Sequence, residues 1–300
     1  MPSPSDHLKM NISAGVASVT VALILVALKL WAYLQTQSLS VASSLTDSGL
    51  DFIVSLGAVG MMIYAARPPD EDHRFGHSSA EDLTALAQAF VILCAALFII
   101  TAAIIRLTKP QIVTVTAEMN GVWAMVASIL LTASLIFWQS LVARKTGSRV
   151  VAADRLHYLG DFLPNLGAIL ALWLAKDFNL PQVDSIVAIG AAGVLIYGAG
   201  RIGTGAWDAL MDRRADPAIV DGIAAIAGTW PGIMGFHDLK TRTAGSRVFV
   251  HIHIELEGSQ TLREAHNIGA SLRRAILEAY PQADVIVHKD VASSTQPILP

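Results

Sequence analysis

Long apolar runs separated by short polar segments occupy the first two thirds of the chain. A helix needs about 20 apolar residues to cross the hydrocarbon core of a bilayer, and each run reaches that length. The fifth run is the least apolar, because His157, Asp161 and Asn165 interrupt it, which is typical of a helix that lines a polar site. The pattern predicts six transmembrane helices, at residues 12–33, 39–66, 82–107, 113–142, 150–175 and 182–207.

After residue 207 the pattern becomes charged and alternating, which predicts a transmembrane domain at 1–207 and a separate cytoplasmic domain at 208–300. In the strand predicted at 247–256, apolar residues alternate with polar ones such as His251 and His253. The whole segment predicts a small α+β domain with helices on one face of a short sheet. Its elements follow the order αββαβ, with helices at 216–230 and 262–280 and strands at 236–243, 247–256 and 283–290.

Composition agrees with a membrane protein. Hydrophobic residues make up 53% of the chain and charged residues 15%, against about 25% charged in soluble domains. The net charge of −3 argues against a nucleic-acid partner. Cys94 is the single cysteine, so an intrachain disulfide and a thiolate zinc cluster are excluded, and we expect it to be a small buried hydrophobe.

Basic residues are unevenly distributed between the two sides of the predicted helices. Arg106, Lys109, Lys176 and Lys29 fall on one side. The excess on the other side predicts a multi-pass protein of the inner membrane, surrounded by lipid, with both termini in the cytoplasm. That larger set comprises Lys9, Arg67, Arg74, Arg144, Lys145, Arg149, Arg213 and Arg214.

Two pairs of ionisable residues lie inside the apolar runs, Asp47 with Asp51 and His157 with Asp161. A step of four residues keeps each pair on one face of a helix. Each ionisable group in mid-bilayer costs roughly 2.5–3.5 kcal/mol, so the four together need compensation. A buried hydrogen-bonded network or helix caps would be one explanation. A divalent cation held by three carboxylates and one imidazole is the other, and this donor set suits Zn²⁺ better than Cd²⁺, Fe²⁺ or Mn²⁺.

A short polar segment between the second and third runs holds Asp70, His73 and His77. Their spacing is that of metal ligands, which predicts a second metal site in a cytoplasmic loop. Glu71 and Asp72 add further acid, so a solvated acidic loop without a metal is the alternative.

The predicted cytoplasmic domain carries a set of histidines on neighbouring elements. His288 and Asp290 are two residues apart and share one face of the last strand, and His253 lies on the polar face of its neighbour. His251 shares that face and could join them. Together these residues predict a third metal site, made of His237, His253, His266, His288 and Asp290.

The motifs resemble the cation diffusion facilitator family, in particular its bacterial zinc transporters, from about Ile12 to Asp290. The resemblance rests on order and spacing as well as on composition. It is carried by Asp47-Ser-Gly-Leu-Asp51, Asp70-Glu-Asp-His73-Arg-Phe-Gly-His77, Ala-Asp154-Arg-Leu-His157-Tyr-Leu-Gly-Asp161 and Trp-Pro-Gly-Ile-Met-Gly-Phe-His237-Asp-Leu.

The resemblance implies a homodimer that exports zinc from the cytoplasm in exchange for protons. It implies a transport site at the two intramembrane pairs, a loop site, and a metallochaperone-like (ferredoxin-like) cytoplasmic domain that holds zinc as a structural or regulatory ion. The chain departs from the family at Ser79, where members commonly carry a Lys that pairs with an Asp after the sixth helix, here Asp212. That salt bridge between protomers cannot form with these side chains.

Two other functions are alternatives to a proton-coupled exporter. An intramembrane zinc metalloenzyme is disfavoured, since the chain lacks a His-Glu-x-x-His helix and the four intramembrane residues are all needed as ligands. A passive divalent-cation channel stays open as an alternative, and dependence of flux on a proton gradient separates it from an antiporter. The sequence thus predicts a secondary active transporter rather than an enzyme.

Overall fold

The computed structural model describes residues 4–36, 39–108, 119–178 and 183–292. Two compact units result, one of residues 6–207 and one formed chiefly by residues 208–300, called the tail domain below. The first unit contains six long helices, α1 (Pro4–Thr36), α2 (Leu39–Ala65), α3 (Ser79–Thr108), α4 (Met119–Thr146), α5 (Arg149–Phe178) and α6 (Val183–Leu210).

The six long helices correspond to the six predicted transmembrane runs and confirm that prediction. Within the described residues, five of them are long and apolar enough to cross a membrane by composition alone. The remaining helix, α5, has 30 residues and carries the polar positions His157 and Asp161, which lower its mean hydropathy. Residues 113–118 of the predicted fourth run, and Lys109, lie outside the described residues.

Small side chains allow the six helices to pack closely. One buried cluster joins Ala14 of α1, Ala58 of α2 and Ala85 of α3 to residues of α4, α5 and α6. Gly15 shows how tight the contact is, because an added Cβ would lie 2.6 Å from Cγ2 of Val59. Close approach through Ala and Gly is the usual way that helices associate in lipid, where apolar burial gives no driving force.

Large apolar side chains cover the outside of this unit, as expected where lipid is the solvent. On α3, Phe90 and Phe98 are 67% and 75% exposed. Cys94 lies between them and is also exposed, so the expectation that it is buried was wrong. A lipid-facing position suits a small hydrophobe as well as a buried one, and the apolar run alone could not distinguish the two.

The tail domain has the predicted order αββαβ. It comprises α7 (Pro217–Gly228), β1 (Gly235–Ala244), β2 (Arg247–Leu256), α8 (Leu262–Ala279) and β3 (Ala283–Val291). The strands form one sheet in the order β1-β2-β3, in which β1 and β2 are antiparallel and β2 and β3 are parallel. The parallel pair needs the crossover that α8 provides.

Local capping fixes where the two tail helices begin. Asp216 accepts a hydrogen bond from the backbone N–H of Ala218, with Pro217 at the first helical position. At the start of α8, Thr261 and Glu264 form a capping box, each side chain bonding the other's backbone N–H. The Thr261 backbone N–H that bonds the Glu264 carboxylate holds the pKa of that carboxylate below its ordinary value.

The core of the tail domain lies between the sheet and the two helices. Val250, Ile252 and Ile254 of β2 pack against Leu272 and Ile276 of α8. The intervening residues of β2 face away from the helices, as the period-two alternation predicted. Phe249 belongs to that second face yet is 5% exposed. The Arg242 guanidinium covers it, 4.2 Å from the ring centroid.

Candidate metal centres

Asp51 of α2 and His157 of α5 meet inside the unit of residues 6–207, called the membrane unit below. Nε2 of His157 lies 3.0 Å from Oδ1 of Asp51. Asp161, one turn further along α5, completes a group whose ligand atoms all lie within 4.8 Å of one another. We call Asp51, His157 and Asp161 the membrane group. Two carboxylates and one imidazole at this separation have the composition and spacing of a site for a divalent cation.

Asp47 is the fourth residue that the sequence predicted for this site. It lies one helical turn before Asp51 on the same face of α2, but it is not part of the membrane group. Its side chain is exposed, as is that of Asp161, so the group is open on this side. Asp47 is nevertheless close enough to Asp161 for the two carboxylates to repel each other.

Lys29 of α1 is a charged neighbour that the sequence did not reveal. The first predicted run, 12–33, contains it, and its position near the end of that run assigned it to one side of the membrane instead of to the acidic residues of α2. Its Nζ donates to Oγ of Ser48 at 2.6 Å and to the carbonyl oxygen of Ser44 at 3.1 Å. The ammonium is also close enough to the predicted ligands Asp47, Asp51 and Asp161 to interact with them electrostatically.

A second buried polar cluster surrounds Asp154, one turn before His157 on α5. Oδ2 of Asp154 accepts hydrogen bonds from Ser18 Oγ of α1 at 2.5 Å and from Gln139 Nε2 of α4 at 2.7 Å. The Tyr158 hydroxyl donates to the Ser18 carbonyl at 3.2 Å and lies 3.0 Å from Ser55 Oγ of α2. Four helices therefore meet around one buried carboxylate, which the sequence indicates only as part of a motif.

Arg155 follows Asp154 directly but serves neither carboxylate cluster. Its Nη1 lies 3.5 Å from Ser140 Oγ on α4. Its buried Nε has no hydrogen-bond partner among the described residues. Arg155 is therefore not the cation that compensates the membrane group.

The loop between α2 and α3 brings Asp70, His73 and His77 together, and we call them the loop group. Oδ1 of Asp70 accepts the His73 backbone N–H at 2.7 Å and lies 3.2 Å from His73 Nδ1. Nε2 of His77 lies 3.2 Å from the other oxygen, Oδ2. The His73 backbone N–H is the largest influence that holds the pKa of Asp70 below its ordinary value. A carboxylate that stays ionised is available as a metal ligand.

Sheet register places three histidines side by side across the tail domain. His237 of β1 is paired with His253 of β2, and His253 is paired with His288 of β3. We call these residues the histidine row. Neighbouring ring centroids are 5.2 Å and 4.5 Å apart. The row lies on the face of the sheet opposite α7 and α8, whose side chains pack on the other face.

Asp290 contacts all three members of the histidine row. Its Oδ2 lies 2.9 Å from His253 Nδ1 and 3.5 Å from His237 Nε2, and its Oδ1 lies 3.1 Å from His288 Nε2. The ligand atoms of His237, His253 and Asp290 lie within 4.8 Å of one another. Two imidazoles and a carboxylate fit the donor preferences of zinc.

His266 and His251 are not brought into this group by a single chain. His266 lies on α8, the helix that packs on the opposite face of the sheet, and is exposed. His251 shares a face with His253 but is paired with Lys240 and Ile286 instead of with the row. Amphipathic spacing could place His266 on a helix near the sheet, but it could not say which face of the sheet the helix covers.

Asp212 has a different partner from the one the family pattern implied. Its Oδ1 accepts from Arg242 Nη1 at 3.1 Å, and both residues belong to the tail domain. Ser79, the first residue of α3, carries a hydroxyl instead of the Lys of the family pattern. The carboxylate is therefore satisfied within one chain.

Comparison with known proteins identifies the family. The sequence pattern described as the cation efflux transmembrane domain matches residues 15–211. This chain belongs to the cation efflux family. The pattern described as the cytoplasmic domain of cation efflux proteins matches residues 215–291, which correspond to the tail domain.

Among cation efflux relatives, the cation-efflux pump FieF of Pectobacterium carotovorum is 37% identical over 94% of this chain and 93% of its own length. The pump of the same name from Cronobacter sakazakii is 36% identical over 96% of this chain and 95% of its own. The solved structure MamM-CTD 215-293 covers 25% of this chain and 96% of its own, with 21% identity and a TM-score of 0.24.

Proposed function

We propose that this cation efflux protein exports divalent cations from the cytoplasm across the inner membrane, with Zn²⁺ preferred and Cd²⁺, Fe²⁺ and Mn²⁺ as lesser substrates. The observation that carries the proposal is the membrane group, in which ligand atoms from α2 and α5 lie within 4.8 Å of one another. The full-length similarity to two cation-efflux pumps supports the direction of transport.

Asp47 is proposed as the fourth ligand of the transported ion, beside Asp51, His157 and Asp161. One helical turn separates it from Asp51, and it interacts electrostatically with Asp161. A tetrahedral site of one nitrogen and three oxygen donors then results, which favours Zn²⁺ over harder ions.

Proton exchange is proposed as the driving force. Metal ligands must be deprotonated, so protons from outside compete with the ion for His157 and the carboxylates and release it. The protonated site then returns to the cytoplasmic side by alternating access. A protein that works by this cycle is a secondary active antiporter and not an enzyme. Both of its termini are proposed to lie in the cytoplasm.

The loop group and the histidine row are proposed as additional zinc sites. The loop group would collect ions near the cytoplasmic ends of α2 and α3. The histidine row with Asp290, and with His266 supplied by a second copy, would hold zinc as a structural or regulatory ion in a homodimer. The boundary between the two functional domains is proposed at residues 207 and 208, where the compact units also divide.

Zinc flux in proteoliposomes, measured with and without an imposed pH gradient, tests the proposal. An antiporter accumulates Zn²⁺ against its gradient only while the proton gradient lasts. Downhill flux that ignores the proton gradient would favour the passive channel. The Asp51→Ala protein should show neither accumulation nor downhill flux above that of empty vesicles.

A further inference from the structure

Lys29 is a basic residue within the membrane unit that has no role in the transport cycle proposed above. Lys29 lies within α1, a helix of 33 residues that crosses the membrane. Ionisable residues inside a membrane protein are expensive and pair with a partner of opposite charge or with backbone carbonyls. The partners of Lys29 therefore indicate what the residue does.

Two oxygens of α2 fix the position of the Lys29 ammonium. Its Nζ donates to Ser48 Oγ at 2.6 Å and to the Ser44 carbonyl at 3.1 Å. Ser48 is 1% exposed, so this contact is shielded from water. Ser48 lies three residues before Asp51, on the neighbouring turn of the same helix, so the ammonium is anchored to the turn of α2 that precedes Asp51.

Electrostatic interactions connect Lys29 to all three carboxylates of the proposed transport site. The ammonium interacts with Asp51, Asp161 and Asp47. Asp161 in turn interacts with Asp51, His157, Lys29 and Asp47. Lys29 is the lysine in that set, and Arg155 contacts Ser140 instead.

We infer that Lys29 is an internal counter-ion that matches the transport site to a divalent cation and limits how tightly the ion is held. Three carboxylates carry a charge of −3, and Lys29 reduces the total to −2. One divalent cation then neutralises the site. Without Lys29 the occupied site would keep a net negative charge inside the bilayer, where an unbalanced charge is costly.

The same charge weakens binding of the ion. A fixed ammonium repels an incoming divalent cation, and in an environment of low effective dielectric this repulsion is stronger than in water. Transport requires an affinity high enough to capture the ion and low enough to release it. Lys29 therefore lowers the affinity of the site for the ion and makes release of the ion easier. The inference rests on the proposed function, because it assumes that the ion binds at Asp47, Asp51, His157 and Asp161.

Zinc titration of the purified full-length protein tests this role. The signal that disappears in Asp51→Ala is assigned to the transport site, which separates it from the loop group and the histidine row. Lys29→Gln removes the charge but keeps hydrogen-bond donors for Ser48, Lys29→Met removes both, and Lys29→Arg keeps the charge. Lys9→Gln, at an exposed position on the same helix, is the matched control.

We expect Lys29→Gln and Lys29→Met to tighten zinc binding at the transport site at least tenfold, about 1.4 kcal/mol, and to slow maximal zinc flux. Lys29→Arg and Lys9→Gln should stay within about threefold of the original Kd. A folding defect would weaken binding, so tightening is not explained by a structural role. An unchanged or weaker Kd in both Lys29→Gln and Lys29→Met overturns the inference. If Asp51→Ala removes no zinc signal, the transport site itself is wrong, whatever the Lys29 variants show.

Discussion

Gln139 donates its side-chain N–H to Oδ2 of Asp154 at 2.7 Å, and the two side chains are 0% and 1% exposed. The same amide reaches Ser18 Oγ at 2.8 Å, so one side chain of α4 joins α1 to α5. A buried carboxylate without its donors carries a large desolvation penalty. Gln139 therefore stabilises the contact among helices just one turn from His157.

Gln139→Leu should destabilise the protein, because it leaves the Asp154 carboxylate with one donor fewer. We expect a loss of about 1–3 kcal/mol, measured by thermal unfolding in detergent. Combining it with Asp154→Leu should cost less than the sum of the two single changes, because both partners are then apolar. Strictly additive losses would show that the hydrogen bond contributes little.

Asp51→Asn and Asp161→Asn should each abolish zinc transport while the protein still inserts and unfolds at nearly its usual temperature. Either change removes one anionic ligand from a group whose atoms lie within 4.8 Å of one another. Flux in proteoliposomes is the measurement, and Asp221→Asn, an exposed carboxylate on α7, is the control. Zinc flux near the original rate in either variant would remove these residues from the transport site.

His157→Asp should shift metal preference toward Mn²⁺ relative to Zn²⁺. The change replaces the imidazole beside Asp51 with an oxygen ligand, and an all-oxygen site suits harder ions. Competition between the two ions for transport measures the shift. If the ranking of metals is the same in both proteins, His157 does not ligate the transported ion directly.

Zinc should raise the melting temperature of an isolated tail domain, residues 208–300. An ion that binds only the folded state at a hundredfold excess over Kd adds about 2.7 kcal/mol, which corresponds to roughly 10 °C or more in a domain of this size. The combined change His253→Ala and Asp290→Ala should remove most of that rise.

His251→Ala provides the matched control for the tail-domain experiment. It replaces a histidine of the same strand and the same face, two residues from His253, that lies outside the histidine row. Zinc stabilisation should therefore persist in this variant. Equal losses in the two proteins would mean that zinc binds surface histidines without regard to the row.

Acid should weaken the start of α8 through Glu264. Its pKa is lower in the folded state than its ordinary value because its carboxylate accepts the Thr261 backbone N–H. Stability from this group is therefore present above the ordinary pKa and is lost as the pH falls through the lowered one. In unfolding titrations of the tail domain below about pH 4.5, Glu264→Gln should reduce the slope of stability against pH. An unchanged slope would remove Glu264 from the acid response.

Local patterns were enough to predict most of the architecture. Apolar runs predicted the six long helices, and alternation in β2 correctly separated Ile252 and Ile254 from His251 and His253. The four-residue spacing of His157 and Asp161 placed both on one face of α5. Each of these properties depends on residues that are close to one another in the sequence, so it can be predicted from the local pattern.

Contacts between distant parts of the chain were harder to predict. Ser18 and Asp154 are 136 residues apart, and no periodicity indicates that α1 and α5 meet there. The contact of Lys29 with α2 was equally hard to predict, because a basic residue near the end of an apolar run is usually a charge that flanks the membrane. The position of His266 relative to the histidine row depends on which face of the sheet α8 covers. That face is determined by the packing of Leu272 and Ile276 against the sheet.

The register of the histidine row also has a kinetic consequence. His288 reaches His253 only after α8 has crossed over and β3 has joined the sheet, so the row forms from parts of the chain that are far apart in sequence. Contacts of this kind tend to form late in folding. An ion held across β1, β2 and β3 would then slow the unfolding rate of the tail domain and leave its folding rate nearly unchanged. Metal content would set how long the domain lasts once folded, rather than whether it folds.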